Sequence, residues 1–284
     1  MSAFDAARSE LLIPASQMWG RRLSAGVIIL GGLLALAGPA IANSPTGAQA
    51  IYRYLWPHLV PAIVALGVAI FVGLRARASG DWAVGFFGLA LGLGAGFVAQ
   101  FGYPLMAAVE TSVVAGGAIT LGAVSGLARE RAAIVTRRTH VDEAIWVPSK
   151  AGPATCLAGS GVAIVAIAVH WQFTGPYAGM GWDSLRFSLP LLCGPGAVAA
   201  IAIASIRQPG RIGQGAWGVA VGLGIATSCF FLQRTTSILE GLASPHLPWV
   251  VALTGGLASA LGGVLAWRER RTQIPQEIVR ADES

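Results

Sequence analysis

Residues 82–101, WAVGFFGLALGLGAGFVAQF, form a long apolar run without a charged side chain. A helix of this length rises about 30 Å, which matches the hydrocarbon thickness of a bilayer. Similar runs recur along the 284 residues, and they predict eight membrane-spanning helices. We expect these spans at about 23–43, 56–74, 82–101, 104–127, 154–172, 187–206, 214–233 and 247–267.

The composition argues against a soluble protein. Hydrophobic residues make up 55% of the chain, charged residues 11%, and the mean hydropathy is +0.66. A soluble domain has about a quarter of its residues charged. The 38 glycines fit a membrane bundle, because small residues let membrane helices pack closely. The predicted fold class is therefore all-α, a polytopic membrane helix bundle.

The basic residues predict the orientation. With a cytoplasmic N-terminus, 16 of the 19 Lys and Arg residues lie on the cytoplasmic side, and Arg53, Arg186 and Arg234 lie outside. Cytoplasmic loops carry such an excess. We therefore expect a multi-pass membrane protein with both termini cytoplasmic. The net charge of +6 is expected to meet anionic lipid headgroups, so membrane lipids are predicted partners and nucleic acid is not.

The N-terminal region leaves two interpretations open. Residues 4–19 place Phe4, Leu11 and Trp19 near one helical face, as in an interfacial amphipathic helix. Alternatively, the Arg21-Arg22 pair and the following apolar run to Ala42 resemble a cleaved signal peptide. Cleavage would leave seven spans with the same orientation.

Matching patterns predict an internal duplication. Arg-aromatic-x-x-Pro occurs at 53–57 and 186–190, an offset of 133, and Leu-Gly-Leu-Gly at 91–94 corresponds to Val-Gly-Leu-Gly at 221–224, an offset of 130. Glu110 and Glu240 share the offset of 130, and Arg-Glu-Arg recurs at 129–131 and 268–270, an offset of 139. The ordered series favours two four-span units that cross the membrane in the same direction.

This duplication sets the predicted domain organisation: about eight transmembrane helices in two parallel four-helix repeats. We expect a cytoplasmic amphipathic segment at 1–22, a first repeat at 23–131, a basic cytoplasmic linker at 132–153, a second repeat at 154–271 and a cytoplasmic tail at 272–284.

Charged residues at span ends are the candidate site residues, because charge within a membrane is costly. Arg53 and Arg186 stand at repeat-equivalent outer positions, where their guanidinium forks could pair with a phosphate or carboxylate. Glu110 and Glu240 also lie near outer ends, and could line a polar surface, pair with an arginine or sit in the headgroup region. We assign these four to substrate binding, with ordinary headgroup contact as the alternative.

Other chemistry is not predicted. His58, His170 and His246 show no helical i, i+4 spacing, and the three cysteines form no CxxC pair, so we expect no metal site. The glycine stretches lack a phosphate-loop context, and metalloprotease and nucleophile-elbow motifs are absent. The chain is therefore predicted to be no enzyme and to carry no cofactor.

The segment from Arg186 to Arg271 resembles the last three membrane helices of the lipopolysaccharide-export permease family (LptF/LptG, YjgP/YjgQ). The resemblance rests on Arg-Phe-Ser-Leu-Pro-Leu at 186–191, the basic loop at 207–211, a glycine-rich span with Phe230-Phe231, Leu-Glu-Gly at 239–241 leading to Leu-Pro-Trp at 247–249, and a last span ending in Arg268. It has a fainter echo at 53–131, and the chain has no room for the jellyroll domain of that family.

The resemblance implies a permease-like, non-catalytic subunit of a lipid or glycolipid export system in a bacterial inner (plasma) membrane, powered by a separate ATPase subunit. The cytoplasmic loops would contact that partner through Arg75, Arg77, Arg207 and Arg211. One alternative is a structural or assembly subunit of a larger inner-membrane complex, with other membrane subunits as partners. A small-solute transporter is a third, disfavoured because polar residues within the spans are mostly small hydroxyls, which bond to backbone carbonyls.

Overall fold

The computed structural model describes residues 15–41, 48–75, 82–101, 108–137, 150–170, 182–208, 212–239 and 247–281, and near several helix ends it describes the backbone alone. These residues form eight helices and no strand. The helices are α1 (Ala15–Ile41), α2 (Ala48–Leu74), α3 (Trp82–Phe101), α4 (Ala108–Arg137), α5 (Ala151–Val169), α6 (Trp182–Arg207), α7 (Gln214–Leu239) and α8 (Leu247–Ala281). The predicted all-α bundle is confirmed, and each predicted span overlaps one helix.

Six helices are long and apolar enough in their described parts to cross a membrane, namely α1, α3, α5, α6, α7 and α8. The prediction of eight spans is thus supported for six. In α2 the apolar described stretch, Leu59–Leu74, is shorter than a full span. In α4 the charges of Arg129 and Glu130 end the apolar part of the described helix. The chain is a multi-pass membrane protein.

The outer surface of the bundle is apolar. Large aliphatic side chains are exposed on several helices, and Leu33, Ile70, Leu121, Val165 and Leu261 are each more than half exposed. A water-soluble protein rarely leaves contiguous apolar surface of this kind uncovered. In a bilayer the same side chains contact lipid tails, which explains why the helices are apolar on their outer as well as their inner faces.

The helices pair in the same way in the two halves of the chain. In the first half, α1 packs on α4 and α2, and α3 packs on α4. In the second half, α5 packs on α8 and α6, and α7 packs on α8. We refer to α1–α4 as the first unit and to α5–α8 as the second unit. The units meet chiefly where α3 packs on α7, and they touch again where α2 meets α7 and α6 meets α3.

The α3–α7 contact is built from glycine. A methyl group on Gly88 would overlap the carbonyl oxygen of Gly215, and one on Gly218 would overlap that of Gly85. The two contacts are equivalent across the duplication. At the offset of 130, Gly85 corresponds to Gly215 and Gly88 to Gly218, so each contact becomes the other when α3 and α7 are exchanged. Successive contacts advance along both helices in the same direction, so α3 and α7 run parallel. Small residues allow this backbone approach in the absence of water.

The helix pair α1–α4 corresponds to the pair α5–α8, but at sequence offsets that differ from the 130 of α3 and α7. In the first unit, Gly31 lies against the carbonyl oxygen of Ala115, and in the second unit Gly159 lies against that of Gly255. The offset is therefore 128 between α1 and α5, and 140 between α4 and α8. The Arg-Glu-Arg match at an offset of 139 is one position out of this register. Glu130 corresponds in space to position 270, which is an arginine.

All four predicted segment boundaries fall inside helices: 22/23 in α1, 131/132 in α4, 153/154 in α5 and 271/272 in α8. The backbone of α4 continues to Arg137, so the predicted linker at 132–153 begins within a helix, and α8 continues to Ala281, beyond the start of the predicted tail at 272–284. Hydrophobicity ends before the helix does, because a polar helix can continue beyond the membrane surface. Residues 1–14, with most of the predicted amphipathic helix, lie outside the described residues.

We expect Gly92→Leu and Gly222→Leu to destabilise the protein equally. Side chains at Gly92 and Gly222 would overlap the carbonyl oxygens of Val219 and Leu89, respectively. Overpacking costs about 1–3 kcal/mol and sometimes more, which should appear as a lower temperature of thermal unfolding in detergent. The control is Gly26→Leu, because no atom lies within 4 Å of a Cβ at that position. If all three variants unfold at the wild-type temperature, the close α3–α7 contact is wrong.

Candidate functional site at the basic end of the bundle

The predicted substrate-binding residues are placed only in part. Arg53 lies in α2 and Arg186 in α6, so they occupy equivalent helices, but their side chains are outside the described part of the structure. Glu110 lies in the first turn of α4, likewise without a described side chain. Glu240 falls outside the described residues, directly after α7. The predicted equivalence of the two glutamates therefore stays a prediction.

The predicted partner-contact arginines are described for two of four. Arg75 follows the last residue of α2 and Arg207 ends α6, and both are exposed. The guanidinium carbon of Arg75 lies 4.9 Å from the centre of the Phe71 ring, within cation–π range. Arg77 and Arg211 lie outside the described residues.

A set of basic residues marks one end of the bundle, which we call the basic end. Helices α1, α3, α5 and α7 begin there, and α2, α4, α6 and α8 end there, because neighbouring helices in each unit run antiparallel. Its described basic side chains are Arg21, Arg22, Arg75, Arg129, Lys150, Arg207 and Arg268. All of these except Arg21 are exposed.

Arg21 is buried because it pairs with Glu130. The Arg21 Nη2 atom donates to Glu130 Oε2 at 2.7 Å, and Nε donates to the other carboxylate oxygen, so the pair is bidentate. Arg21 is only 4% exposed. The two residues are far apart in the sequence, and the antiparallel α1–α4 packing brings them together. Two hydrogen bonds in a fork geometry satisfy both charges and tie the two helices together.

Arg129 adds a second tie between the same helices. Its Nη1 atom donates to the backbone carbonyl oxygen of Gly20 at 2.7 Å, directly before Arg21 in α1. Glycine at position 20 makes room for this contact, because the stem of Arg129 lies where a Cβ of residue 20 would be. The sequence predicted Arg21 and Arg129 only as interfacial positive charges.

Aromatic rings surround the ion pair on the α3 side. The guanidinium carbon of Arg21 lies 5.6 Å from the centre of the Trp82 ring. Trp82 packs on Phe71 and Phe86, with ring centres 5.5 and 6.1 Å apart. Phe86 in turn packs edge-on against Trp267 of α8, at 5.2 Å. This aromatic cluster joins α2 and α3 of the first unit to α8 of the second unit.

The ion pair has no counterpart among the described residues of the second unit. By the sequence offsets of 128 and 140, Arg21 and Glu130 correspond to Ser149 and Arg270, which are not a carboxylate and a guanidinium. Within the described residues, the basic end is therefore asymmetric, with its bidentate ion pair in the first unit.

Hydroxyl groups within the helices bond to their own backbone, as the sequence predicted. The Oγ atoms of Ser160, Ser228 and Ser259 donate to carbonyl oxygens one helical turn earlier, at 2.8–2.9 Å. Thr120 donates in the same way to Gly116 at 2.8 Å. These hydroxyls are thus used locally. Where the two units meet, α3 and α7 approach each other at backbone distance.

Histidine and cysteine positions show no metal cluster among the described residues. His170 is buried at the end of α5, with its ring centre 5.0 Å from that of Trp249 in α8. Cys156 donates through Sγ to the carbonyl oxygen of Ser259, and Cys193 is exposed on α6. His58 and His246 have no described side chain.

We expect Glu130→Gln to destabilise the protein by about 3–5 kcal/mol, because it leaves the buried Arg21 charge uncompensated. Thermal or chemical unfolding of the purified chain in detergent measures the loss. The double variant Arg21→Met/Glu130→Leu removes both charges and should recover most of the stability. Arg22→Gln is the control, since Arg22 is the exposed neighbour. A Glu130→Gln protein as stable as this control would contradict the ion pair.

Comparison with protein-family models, with curated proteins and with solved structures finds no match for this chain. The resemblance between its second unit and the lipopolysaccharide-export permeases therefore remains a prediction from sequence. The membrane fold, the paired units and the basic end are the features of the described residues that bear on function.

Proposed function

We propose that the chain is a permease-like, non-enzymatic subunit of a lipid or glycolipid export system in a bacterial inner membrane. The observation that carries this proposal is the closed contact between α3 and α7. It directs any substrate to the lipid-facing outside of the bundle, where exposed aliphatic side chains would contact acyl chains. An amphiphile is the class of substrate that suits such a surface.

The amphiphile is proposed to bind at the surface of the bundle, along the two lines where the units meet. Helix α2 contacts α7 on one side of the bundle, and α6 contacts α3 on the other. Because α3 and α7 approach at backbone distance, the units would stay together along these helices rather than part. The chains of the amphiphile would then lie along α2 or α6.

The arginines on α2 and α6 suit the phosphate of such a molecule. In sequence number, Arg75 follows Arg53 by 22 and Arg207 follows Arg186 by 21. At about 1.5 Å per helical residue either separation is about 30 Å, the hydrocarbon thickness of a bilayer. Arg53 and Arg186 would therefore lie at the headgroup level opposite the basic end, and a guanidinium fork binds phosphate in two hydrogen bonds.

A separate ATPase would supply the energy. The exposed Arg75 and Arg207 end equivalent helices at the basic end, and with Arg77 and Arg211 they would meet an acidic surface on that subunit. The same closed centre also suits the alternative, a structural or assembly subunit of a larger membrane complex. Locally bonded hydroxyls give no support to a small-solute transporter.

Replacing both Arg53 and Arg186 by alanine is expected to abolish export and to remove the phosphate-bearing amphiphile that co-purifies with the chain. A charge-assisted hydrogen bond contributes about 1.5–3 kcal/mol, so the loss of retention should be at least about tenfold. Mass spectrometry of lipids bound to the native protein measures it. Arg22→Ala/Arg268→Ala is the matched control, since it removes one exposed arginine per unit at the opposite end. Full retention and export in the Arg53/Arg186 variant would exclude the phosphate role.

The proposed orientation is tested by labelling. In a Cys193→Ala background, Ser244→Cys should react with a membrane-impermeant maleimide in intact spheroplasts, and Ser79→Cys should react only after lysis. The other two cysteines are buried and serve as unreactive internal controls. Labelling of Ser79→Cys in intact spheroplasts would place the basic end outside and reverse the topology.

A further inference from the structure

Gln214, the first residue of α7, holds a polar group that the described part of the protein does not use. The side chain is 7% exposed, and its Oε1 atom is buried with no hydrogen-bond donor among the residues that the structure describes. A buried carbonyl oxygen normally has a donor, since leaving it unpaired costs free energy. The donor for this oxygen is therefore expected from outside the described residues.

The first unit shows that packing does not require a polar residue here. The equivalent of Gln214, at the offset of 130, is Val84 in α3. Val84 is buried to a similar degree, at 8% exposure. Its Cγ1 atom lies 3.1 Å from where a Cβ atom of residue 215 would be. An aliphatic side chain thus fills the corresponding space in the first unit. The carboxamide of Gln214 is specific to the second unit.

The surroundings of Gln214 favour an anion. The first N–H groups of a helix have no carbonyl partner within the helix and carry partial positive charge. In α7 the N–H of Ala216 bonds to the carbonyl oxygen of Gly213, which leaves the rest of the first turn to other acceptors. The connection from α6 contains Arg207 and Arg211 and no acidic residue, whereas Asp81 directly precedes α3. Helix N-termini of this kind bind phosphate.

We propose that the start of α7 binds the headgroup of a phospholipid that has its own hydrogen-bond donor. The phosphate would accept hydrogen bonds from first-turn N–H groups and from Arg207, and a hydroxyl or ammonium group of the same headgroup would donate to Gln214 Oε1. The site lies at the basic end, about 30 Å along α6 from Arg186. It shares Arg207 with the proposed ATPase contact, but it includes neither of the proposed substrate-binding arginines, Arg53 and Arg186.

Native mass spectrometry of the full chain in detergent tests the site with two lipids of the same acyl chains. Phosphatidylglycerol carries hydroxyl donors, and phosphatidylcholine carries a phosphate but no N–H or O–H donor. We expect the wild-type chain to retain phosphatidylglycerol about 3–10-fold more tightly, as one hydrogen bond provides. Gln214→Leu and Gln214→Met should both lose this preference. Arg22→Gln, which removes one charge at the same end, should keep it.

Thermal unfolding provides the second measurement. Without lipid, Gln214→Leu should unfold at or above the wild-type temperature, because it removes an unpaired polar group. Phosphatidylglycerol should raise the unfolding temperature of the wild type by more than that of the variant. The Arg53→Ala/Arg186→Ala protein should respond as the wild type does, which separates this site from the export proposal.

Three outcomes would overturn the proposal. Equal retention of the two lipids by the wild type would mean that Gln214 is satisfied by water. An undiminished preference for phosphatidylglycerol in both Gln214 variants would place the lipid elsewhere. Displacement of phosphatidylglycerol by millimolar glycerol 1-phosphate would assign the site to a soluble phosphate ester.

Discussion

The backbone approach of α3 to α7 is the constraint on which the bundle depends. Lipid tails are as apolar as leucine, so membrane helices associate through close packing rather than through the hydrophobic effect. Gly88 and Gly218 let each helix meet a carbonyl group of the other, at Gly215 and Gly85 respectively. This contact fixes the parallel direction of the two units, and α4 and α8 then pack on its outer sides. A larger side chain at Gly88 or Gly218 would overlap the backbone of the other helix.

Much of this architecture is readable from the sequence, because apolar length and positive charge are local properties. The run at 82–101 gives a helix of those bounds. The glycine motifs give the correct offset of 130 for α3 with α7, and the Arg-aromatic-x-x-Pro motif pairs α2 with α6. The offsets of the other two helix pairs could not be found. Helices α1 and α5 share no distinctive motif, and the Arg-Glu-Arg match misplaces α4 against α8 by one position.

The polar contacts were beyond sequence reasoning for a different reason. Arg21 and Glu130 look like ordinary interfacial charges, and their pairing over a long sequence separation follows only from the antiparallel seating of α1 on α4. A single acidic residue between Arg129 and Arg131 was the available signal. The burial of Gln214 could not be predicted from the sequence, since it depends on how the first turn of α7 packs in the bundle. The sequence places Arg53 and Arg186 just before the second and sixth spans, whereas the structure has both inside helices, α2 and α6. Their role in substrate binding stays a prediction.

The two units differ where their packing does not require it, and this points to where function resides. Glycine contacts recur in both units, so the shape of each unit is set by the same interactions. The polar positions do not recur: Arg21 and Glu130 correspond to Ser149 and Arg270 across the duplication, and Val84 corresponds to Gln214. The first unit pairs its buried charge internally, whereas the second holds a buried carboxamide oxygen without a described partner. We propose that this difference gives the second unit the contact with a lipid headgroup, while the ion pair of the first unit ties α1 to α4.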